Sequence, residues 1–369
     1  MQAKRNEMIS ITKGIAIILM VIMHTPAPDC MRLWQRDFRV ALFFFVSGYC
    51  FKEKYLNDFS TFAKRKIKGI YWPFVKWSIF FILLHNICVS LKIYDATTAI
   101  YSLKDIAERI FYVVFAMYHG AEQLIIPFWF LKELFLGAFL FYSIIKLCKV
   151  NQTQILILSL IICFAGYWLF SVIEVPVIGP QFMLGTVFMV GGYILAKHHK
   201  TELFLSKGLV VIVLFIIVSV IGYYRSKSST GMFHHTIYTL PLYIPISLLG
   251  CLFIVGLSHV IKNHCLTLKR IFLNIGDRTF KVLTWHFSAM TLVTFIVVQI
   301  TGRDTTNIVY FNRINDSVFP LWPVYTIVGV TLPLLVNHWY EAIARCINNR
   351  CKKGKIKILH CPAFLLNKI

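Results

Sequence analysis

The chain has 369 residues, of which 58% are hydrophobic and 15% are charged, and its mean hydropathy is +0.69. Soluble domains are about 45–50% apolar and about 25% charged, so this composition excludes a soluble globular protein and indicates that much apolar surface faces lipid. The net charge of +22 does not indicate nucleic-acid binding, because the basic residues lie in short clusters between apolar runs and not in one basic domain.

Ten apolar runs along the chain are candidates for membrane-spanning helices, since crossing the ~30 Å hydrocarbon core takes ~20 residues. They cover approximately 8–27, 38–53, 70–92, 127–147, 153–172, 182–197, 207–224, 238–260, 280–300 and 319–341. The stretch from Ile106 to Tyr118 is apolar but too short to span, and we expect it to be an interfacial or re-entrant piece. The sequence therefore predicts an all-α, polytopic transmembrane helical bundle of about ten helices.

The positive charges predict how this bundle is oriented. With the N-terminus in the cytoplasm, 25 lysines and arginines fall in cytoplasmic segments and 10 in outer segments, as the positive-inside rule requires. We therefore expect both termini in the cytoplasm of a multi-pass protein of the cell inner (cytoplasmic) membrane, in contact with anionic lipids. Because no small-residue cleavage site follows the first run, we expect that run to be retained as a helix.

The domain organisation follows from the same patterns. We predict one transmembrane domain over 1–344 and a basic cytoplasmic tail over 345–369. The ten cysteines show neither a CxxC pair nor the Cys/His spacing of a metal site, so we expect reduced thiols and no metal.

The first helix contains two ionisable residues, Lys13 and His24, which are eleven positions apart. At 100° per residue they project from one helix face with only ~20° between them, and they are ~16 Å apart along the axis. With the N-terminus inside, Lys13 lies near the cytoplasmic mouth and His24 near the outer mouth. Two interpretations stay open from these residues alone: a snorkelling lysine with an interfacial histidine, or a functional pair.

Other polar residues interrupt later apolar runs. Lys132 and Glu133 lie inside the fourth run, and because adjacent helical residues diverge by 100° we expect each to find its partner on another helix. His286 lies about two turns into the ninth run from the cytoplasmic side. Ser47 is not expected to act as a nucleophile, because the sequence places no base beside it.

These residues together resemble the acyltransferase-3 family of integral membrane O-acyltransferases, which includes modifiers of bacterial surface polysaccharides. The first helix of that family carries Arg or Lys, ten intervening residues and His, as Lys13 and His24 do here. The run from Phe43 to Tyr49 is similar to a Phe-Phe-Phe-x-Ser-Gly-Tyr signature, and that from Trp129 to Leu131 to a Trp-Phe-Leu element. Trp285-His286 resembles a late segment that ends in His.

The resemblance implies a cytoplasmic acyl-CoA, in the first instance acetyl-CoA, as donor substrate, and a hydroxyl of a cell-surface or lipid-linked glycan as acceptor. It implies no permanently bound cofactor. His24 would be the general base, because a sugar hydroxyl is a poor nucleophile and a neutral imidazole can accept its proton. Arg39 and Trp129 are expected on the acceptor side. The residues expected to bind the acyl-CoA at the inner mouth are Lys13, Arg65, Lys68 and His286.

Two positions depart from the family pattern. Its Arg-x-x-Arg pair is represented by Arg65 and Lys68, and lysine lacks the bidentate fork of arginine. Arg39 stands where an uncharged residue is expected, and could contact an anionic acceptor or simply be interfacial. The alternative function is a proton-coupled secondary transporter or a lipid-linked-sugar flippase, which would also explain intramembrane charges, although no inverted repeat is visible.

Overall fold

The computed structural model describes residues 6–94, 97–120, 122–173, 177–225, 236–302 and 320–352, without the side chains of 344–352. The described residues form helices and no strands. The α-helices are α1 (Glu7–Met23), α2 (Asp29–Trp34), α3 (Ala41–Tyr49), α4 (Phe59–Lys66), α5 (Trp72–Ser90), α6 (Leu103–Ala116), α7 (Trp129–Leu147), α8 (Gln152–Val172), α9 (Gln181–Lys197), α10 (His199–Leu205), α11 (Gly208–Arg225), α12 (Leu240–His264), α13 (Leu266–Gly276), α14 (Thr279–Thr301) and α15 (Trp322–Lys352).

Six helical stretches within the described residues are long and apolar enough to cross a membrane. They are Phe59–Ser90, Gln123–Leu147, Gln152–Val172, Gly208–Arg225, Ile237–His264 and Thr279–Thr301. The other four predicted runs also contain helices, namely α1, α3, α9 and α15. The all-helical, multi-pass membrane fold is thus confirmed, whereas the count of about ten spans and the cytoplasmic placement of both termini stay predictions.

Local signals explain where several helices begin. The side chain of Asn6 accepts from the backbone N–H of Ile9 at the start of α1. Ser102 and Asp105 form a reciprocal capping box at the start of α6, so most of the short apolar stretch is helical. α15 continues unbroken through 344–345, so the predicted domain boundary does not coincide with the end of a helix. Residues 353–369 of the predicted tail lie outside the described residues.

Glycines bring pairs of helices into close contact. A Cβ added at Gly48 of α3 would lie 1.9 Å from the carbonyl oxygen of Met189 of α9, and one at Gly192 would lie 1.9 Å from that of Phe45. A Cβ at Gly276 of α13 would lie 1.7 Å from the carbonyl oxygen of Ser10 of α1. Small residues of this kind permit close backbone packing between membrane helices. α3 is consequently fixed against α9, and the first half of α1 against α13.

Contacts between the helices define two ends of the bundle, which we call the Lys13 end and the His24 end. The Lys13 end comprises the start of α1, the end of α3, α4, the end of α9, α10, α13 and the start of α14. These elements are joined by contacts such as Lys269–Glu7 at 2.9 Å and Tyr49–Glu202 at 3.0 Å. The His24 end comprises the end of α1, α2, the start of α3, the ends of α5, α8 and α11, and the starts of α7 and α12.

Four basic side chains that the charge pattern assigns to the cytoplasm lie at the Lys13 end. Lys66 donates to Ser47, Lys269 pairs with Glu7, Lys197 contacts Glu53, and Lys52 lies within electrostatic range of Cys50. This grouping agrees with the predicted orientation without testing it. Nine basic residues used in that prediction lie outside the described residues: Lys4, Arg5, Lys227, Arg303, Arg313, Lys353, Lys355, Lys357 and Lys368.

Candidate functional site

His24 is the residue that ends α1. Its backbone N–H donates to the carbonyl oxygen of Val21 at 3.0 Å, so the ring stands at the last turn of the helix. The ring lies 4.8 Å, between centroids, from Phe287 and 5.6 Å from the imidazole of His286, both on α14. His24 is half-buried. It is therefore a titratable group that is packed on one side and open on another.

His286 is completely buried within α14. Its Nδ1 lies 3.0 Å from the carbonyl oxygen of Val282 and 2.9 Å from that of Leu283. Carbonyl oxygens only accept hydrogen bonds, so Nδ1 must carry a proton. In the neutral ring Nε2 consequently holds the lone pair, and the backbone of α14 has fixed both the tautomer and the ring orientation.

The two histidines were expected at different mouths of the bundle, and the structure brings them together. Sequence reasoning put His286 in an inner cavity with Lys13, but its ring neighbours that of His24. The physical reason is depth. The eighth residue of α14 lies ~10 Å along that helix from its start, which reaches the interior of the bundle, where α1 and α14 pack together. His286 thus belongs geometrically with the expected base.

Lys13 is half-buried near the opposite end of α1. Lys13 and Lys66 both lie within electrostatic range of the Cys50 thiol at the end of α3. The Nζ of Lys66 donates to the hydroxyl of Ser47 at 3.2 Å. Two half-buried cations therefore lie within electrostatic range of one thiol at the Lys13 end. The amine of Lys66 also contacts Ser47, for which the sequence predicted no partner.

Arg65 and Lys68, the two residues predicted to bind donor phosphates, are both exposed. The Arg65 guanidinium lies over the Tyr55 ring, 5.4 Å from its centroid. The segment is helical, because α4 continues through a π-helical turn at Ile67–Tyr71 into α5. Lys66 precedes the π-turn and lies four residues after the buried Phe62, on the same face of α4. Lys66 is thus the basic side chain of this segment that turns inward.

The two residues expected on the acceptor side lie at the His24 end. Arg39 is half-buried in the helical turn that leads into α3. Trp129 is half-buried at the first position of α7, after a 3₁₀ segment at Gln123–Phe128. His24 closes α1 and Arg39 precedes α3, so the connection between these two helices carries both residues at one end of the bundle.

Comparison with known proteins decides the family. The acyltransferase-3 family model, described as an acyltransferase domain, matches residues 6–338. This chain belongs to the acyltransferase-3 family. No curated protein and no solved structure gives a match. The family membership that the sequence motifs suggested is confirmed, and with it a membrane acyltransferase.

One expectation about this acyltransferase is wrong. Lys132 and Glu133 were expected to find partners on separate helices, but the Nζ of Lys132 lies 3.4 Å from Oε1 of Glu133. Their Cα–Cβ bonds do diverge, yet the four-carbon stem of lysine is long enough to fold back. Lys132 also donates to the backbone carbonyl of Val177, in the connection between α8 and α9. The pair is thus held at the His24 end.

Glu122 is a completely buried carboxylate that was not among the residues predicted from the sequence. His85 Nδ1 lies 3.0 Å from Oε1 of Glu122, and the Tyr94 hydroxyl donates to Oε2 at 2.9 Å. His85 Nε2 donates to the carbonyl oxygen of Ala99 at 3.0 Å, and its ring stacks on Tyr101 with centroids 3.4 Å apart. The missed signal was an acid just before the Trp-Phe-Leu element, together with a histidine within an apolar run.

This network has no net charge whichever group holds the shared proton. Because both ring nitrogens of His85 face oxygen atoms, one proton lies between His85 and Glu122, either as an imidazolium with a carboxylate or on the carboxyl itself. The network connects α5 to the segment that starts at Gln123 and leads into Trp129. Its position suits a structural role in holding the start of α7.

Proposed function

We propose that this acyltransferase moves an acyl group, in the first instance acetyl, from cytoplasmic acyl-CoA to a hydroxyl of a cell-surface or lipid-linked glycan, with His24 as general base. The observation that carries the proposal is the packing of the His24 and His286 rings, 5.6 Å apart, in a chain of this family. The proposed setting is the cell inner membrane. Neither partner is a nucleic acid.

In the proposed reaction, His24 accepts the proton of the acceptor hydroxyl as the oxygen attacks the thioester carbonyl. The C–S bond then breaks, the CoA thiolate leaves, and the proton returns from the imidazolium to the leaving thiolate or to solvent. General-base help of this kind contributes ~10²–10⁴-fold. His286, with its tautomer fixed by two carbonyls, adds a polar group beside the base, and the Phe287 ring packs against both histidines.

The donor is proposed to enter at the Lys13 end. Acyl-CoA carries several negatively charged phosphates, and charged hydrogen bonds to phosphate are among the stronger protein contacts. Lys13 and Lys66 face inward there and would bind those phosphates, with Arg65 and Lys68 at the exposed rim. The thioester arm would then follow α1 toward His24, over the ~16 Å that separate the two residues along the helix.

The test is acyl transfer by purified protein in lipid nanodiscs, with radiolabelled acetyl-CoA and a panel of oligosaccharides. His24→Ala should lower the rate of covalent labelling by ~10²–10⁴-fold, while the thermal unfolding midpoint stays close to that of the wild type. His264→Ala is the matched control, because His264 is an exposed histidine at the end of α12. Equal rates for His24→Ala and the wild type would refute the base assignment.

The same labelled donor, used with sealed proteoliposomes in place of nanodiscs, separates the enzyme from the alternative carrier. Sealed proteoliposomes with the glycan on one side distinguish movement of unmodified glycan from covalent labelling. Transport without labelling would support the transporter or flippase, and the family membership makes covalent labelling the expected result.

A further inference from the structure

The helical turn before α3 presents two polar side chains on one face. The backbone N–H of Arg39 donates to the carbonyl oxygen of Gln35 at 3.1 Å, so these residues stand one helical turn apart. Side chains four positions apart on a helix are neighbours, with Cβ atoms ~5–6 Å from each other. An amide and a guanidinium therefore lie side by side at the His24 end.

Residues between these two hold the turn in place. The hydroxyl of Ser247 donates to the backbone carbonyl of Asp37 at 2.7 Å, and Nε of Arg225 donates to its carboxylate at 3.2 Å. Phe38 packs against Gly250 so closely that an added Cβ there would lie 2.3 Å from the ring. The backbone that carries Gln35 and Arg39 is consequently clamped to α11 and α12, and a ligand would meet a pre-organised turn.

The nearby carboxylates are already committed to other cations. Asp29 pairs with Arg32 at 2.5 Å, and Asp37 pairs with Arg225. Arg39 forms no ion pair with any described residue, and its enclosed Nη1 has no hydrogen-bond acceptor within the described part of the chain. Since Arg39 is half-buried, the rest of its guanidinium can be reached. Asp37 lies within electrostatic range of Arg39 but is paired with Arg225. An enclosed arginine without an ion pair of its own at membrane depth is costly and marks a place for an anion.

Gln35 is a neutral residue that also has buried polar atoms without hydrogen-bond partners. Its side chain is completely buried, and neither Oε1 nor Nε2 has a hydrogen-bond partner among the described residues. A buried primary amide without partners costs free energy. The amide is covered in the structure, so a ligand at Arg39 would contact it only after a shift of the side chain, and that shift would satisfy the amide.

We propose that Gln35 and Arg39 form a binding site for a negatively charged group of the acceptor, so that the preferred acceptor is an acidic glycan. The inference rests on the proposed function and deepens it. Arg39 would pair with a carboxylate or phosphate of the sugar in bidentate geometry. Gln35 would donate to the same oxyanion or accept from an adjacent hydroxyl. The acceptor would thus be anchored at the end of the bundle where His24 stands.

Acyl transfer to matched acceptors tests this site. Three oligosaccharides are compared that differ only in a terminal galactose, galacturonate or galactose 1-phosphate, all with labelled acetyl-CoA in zwitterionic nanodiscs. The wild type should prefer one or both acidic acceptors, and which acid it prefers identifies the anion as carboxylate or phosphate. Arg39→Gln should raise KM for the acidic acceptor ~10–100-fold and leave KM for the neutral one unchanged. Arg32→Gln is the matched control, since Arg32 is already paired with Asp29.

Gln35→Leu is the second variant, and it separates binding from structure. Removal of a buried, unpaired amide should leave the thermal unfolding midpoint unchanged or raise it, while KM for the acidic acceptor rises several-fold. A glutamine that merely supports the fold would give the opposite pair of results, a lower midpoint with unchanged KM.

Binding without donor keeps the test independent of catalysis. The acidic sugars should raise the midpoint of the wild type more than galactose does, and Arg39→Gln should abolish that difference. Equal shifts in both proteins would overturn the site.

If the wild type acylates neutral and acidic acceptors equally, the site is wrong and the proposed function stands. If labelling is absent but the acidic sugars bind through Arg39, the proposed function fails and the site stands. A third outcome is that acyl transfer by the wild type requires anionic lipid and shows no preference among the acceptors. If Arg39→Gln removes that requirement, Arg39 binds a lipid headgroup and the proposal is overturned.

Discussion

Two carboxylates at opposite ends of the bundle have the same kinds of partner and very different surroundings. Glu122, at the His24 end, contacts His85 and Tyr94 and has no exposed surface. Glu202, at the Lys13 end, contacts His259 at 3.1 Å and Tyr49 at 3.0 Å and is partly exposed. The partners of the two carboxylates are chemically the same. Their contributions to the free energy of unfolding differ because Glu122 is buried and Glu202 is partly exposed.

The other polar groups at the two ends differ in burial in the same way. At the His24 end, several buried polar atoms lack a hydrogen-bond partner within the part of the chain described; they belong to Gln35, Arg39, Glu133 and Tyr167. The Lys13 end is organised by partly exposed ion pairs such as Glu53–Lys197 and Glu7–Lys269. The partly solvent-exposed Lys13 end suits the binding of a highly charged donor. The His24 end, with its buried polar groups, suits the proposed proton transfer, because electrostatic interactions are stronger where water is scarce.

The largest expected effect is on the stability of the His24 end. Glu122→Ala leaves His85 and Tyr94 buried without their partner, and breaking a buried pair costs about 3–5 kcal/mol. The thermal unfolding midpoint in detergent should fall sharply, whereas Glu122→Gln, which keeps an acceptor, should lower it less. Glu108→Ala on α6 is the exposed control. A midpoint no lower for Glu122→Ala than for Glu108→Ala would show that burial does not distinguish the two ends.

A smaller effect is expected on donor binding at the Lys13 end. Lys13→Met and Lys66→Met should each raise KM for acyl-CoA about 10-fold, equivalent to about 1.4 kcal/mol, with kcat unchanged, because each removes contacts made equally in the ground and transition states. Lys64→Met, an exposed lysine on the same helix as Lys66, should change nothing. A fall in kcat with constant KM would show that these lysines act in the chemical step. The assignment of donor binding to the Lys13 end and of chemistry to the His24 end would then be wrong.

The smallest effect is expected at Glu202. The hydrogen bond from His259 lowers the pKa of the Glu202 carboxyl below its ordinary value of 4.5, against the opposing effect of burial, and a bond from Tyr49 lowers it further. A carboxyl with a lowered folded-state pKa stabilises the fold above its unfolded-state pKa, and the contribution is lost as pH falls through the lowered value. For a partly exposed pair it is about 1 kcal/mol or less.

Unfolding midpoints measured over a range of pH check this sign. Glu202→Gln should be less stable than the wild type at neutral pH, and the gap should narrow as pH falls below about 4.5. Glu108→Gln, an exposed carboxylate, should show no gap at either pH. A Glu202 gap that widens in acid would mean that the carboxylate does not stabilise the Lys13 end.

The positions of the helices could be read from the chain because hydrophobic runs and capping residues act locally. Each of the ten predicted runs contains a helix, and the motifs around Lys13, Phe43, Trp129 and His286 were enough for the family. The register after α4 could not be predicted, because the π-turn at Ile67–Tyr71 has no clear sequence signal. Lys66 precedes this turn, and its contact with Ser47 of α3 depends on how α4 meets α3, which no local pattern shows.

The sequence by itself determined the membrane fold, the family and the shared helix face of Lys13 and His24, since helical periodicity depends only on spacing along one chain. Only the tertiary structure decided which faces meet. It set His286 beside His24 and paired Glu122 with His85. It also left the Gln35 amide and Nη1 of Arg39 on one turn without hydrogen-bond partners in the described part of the chain. These contacts join residues up to 262 positions apart, and no local pattern encodes the packing of one helix against another.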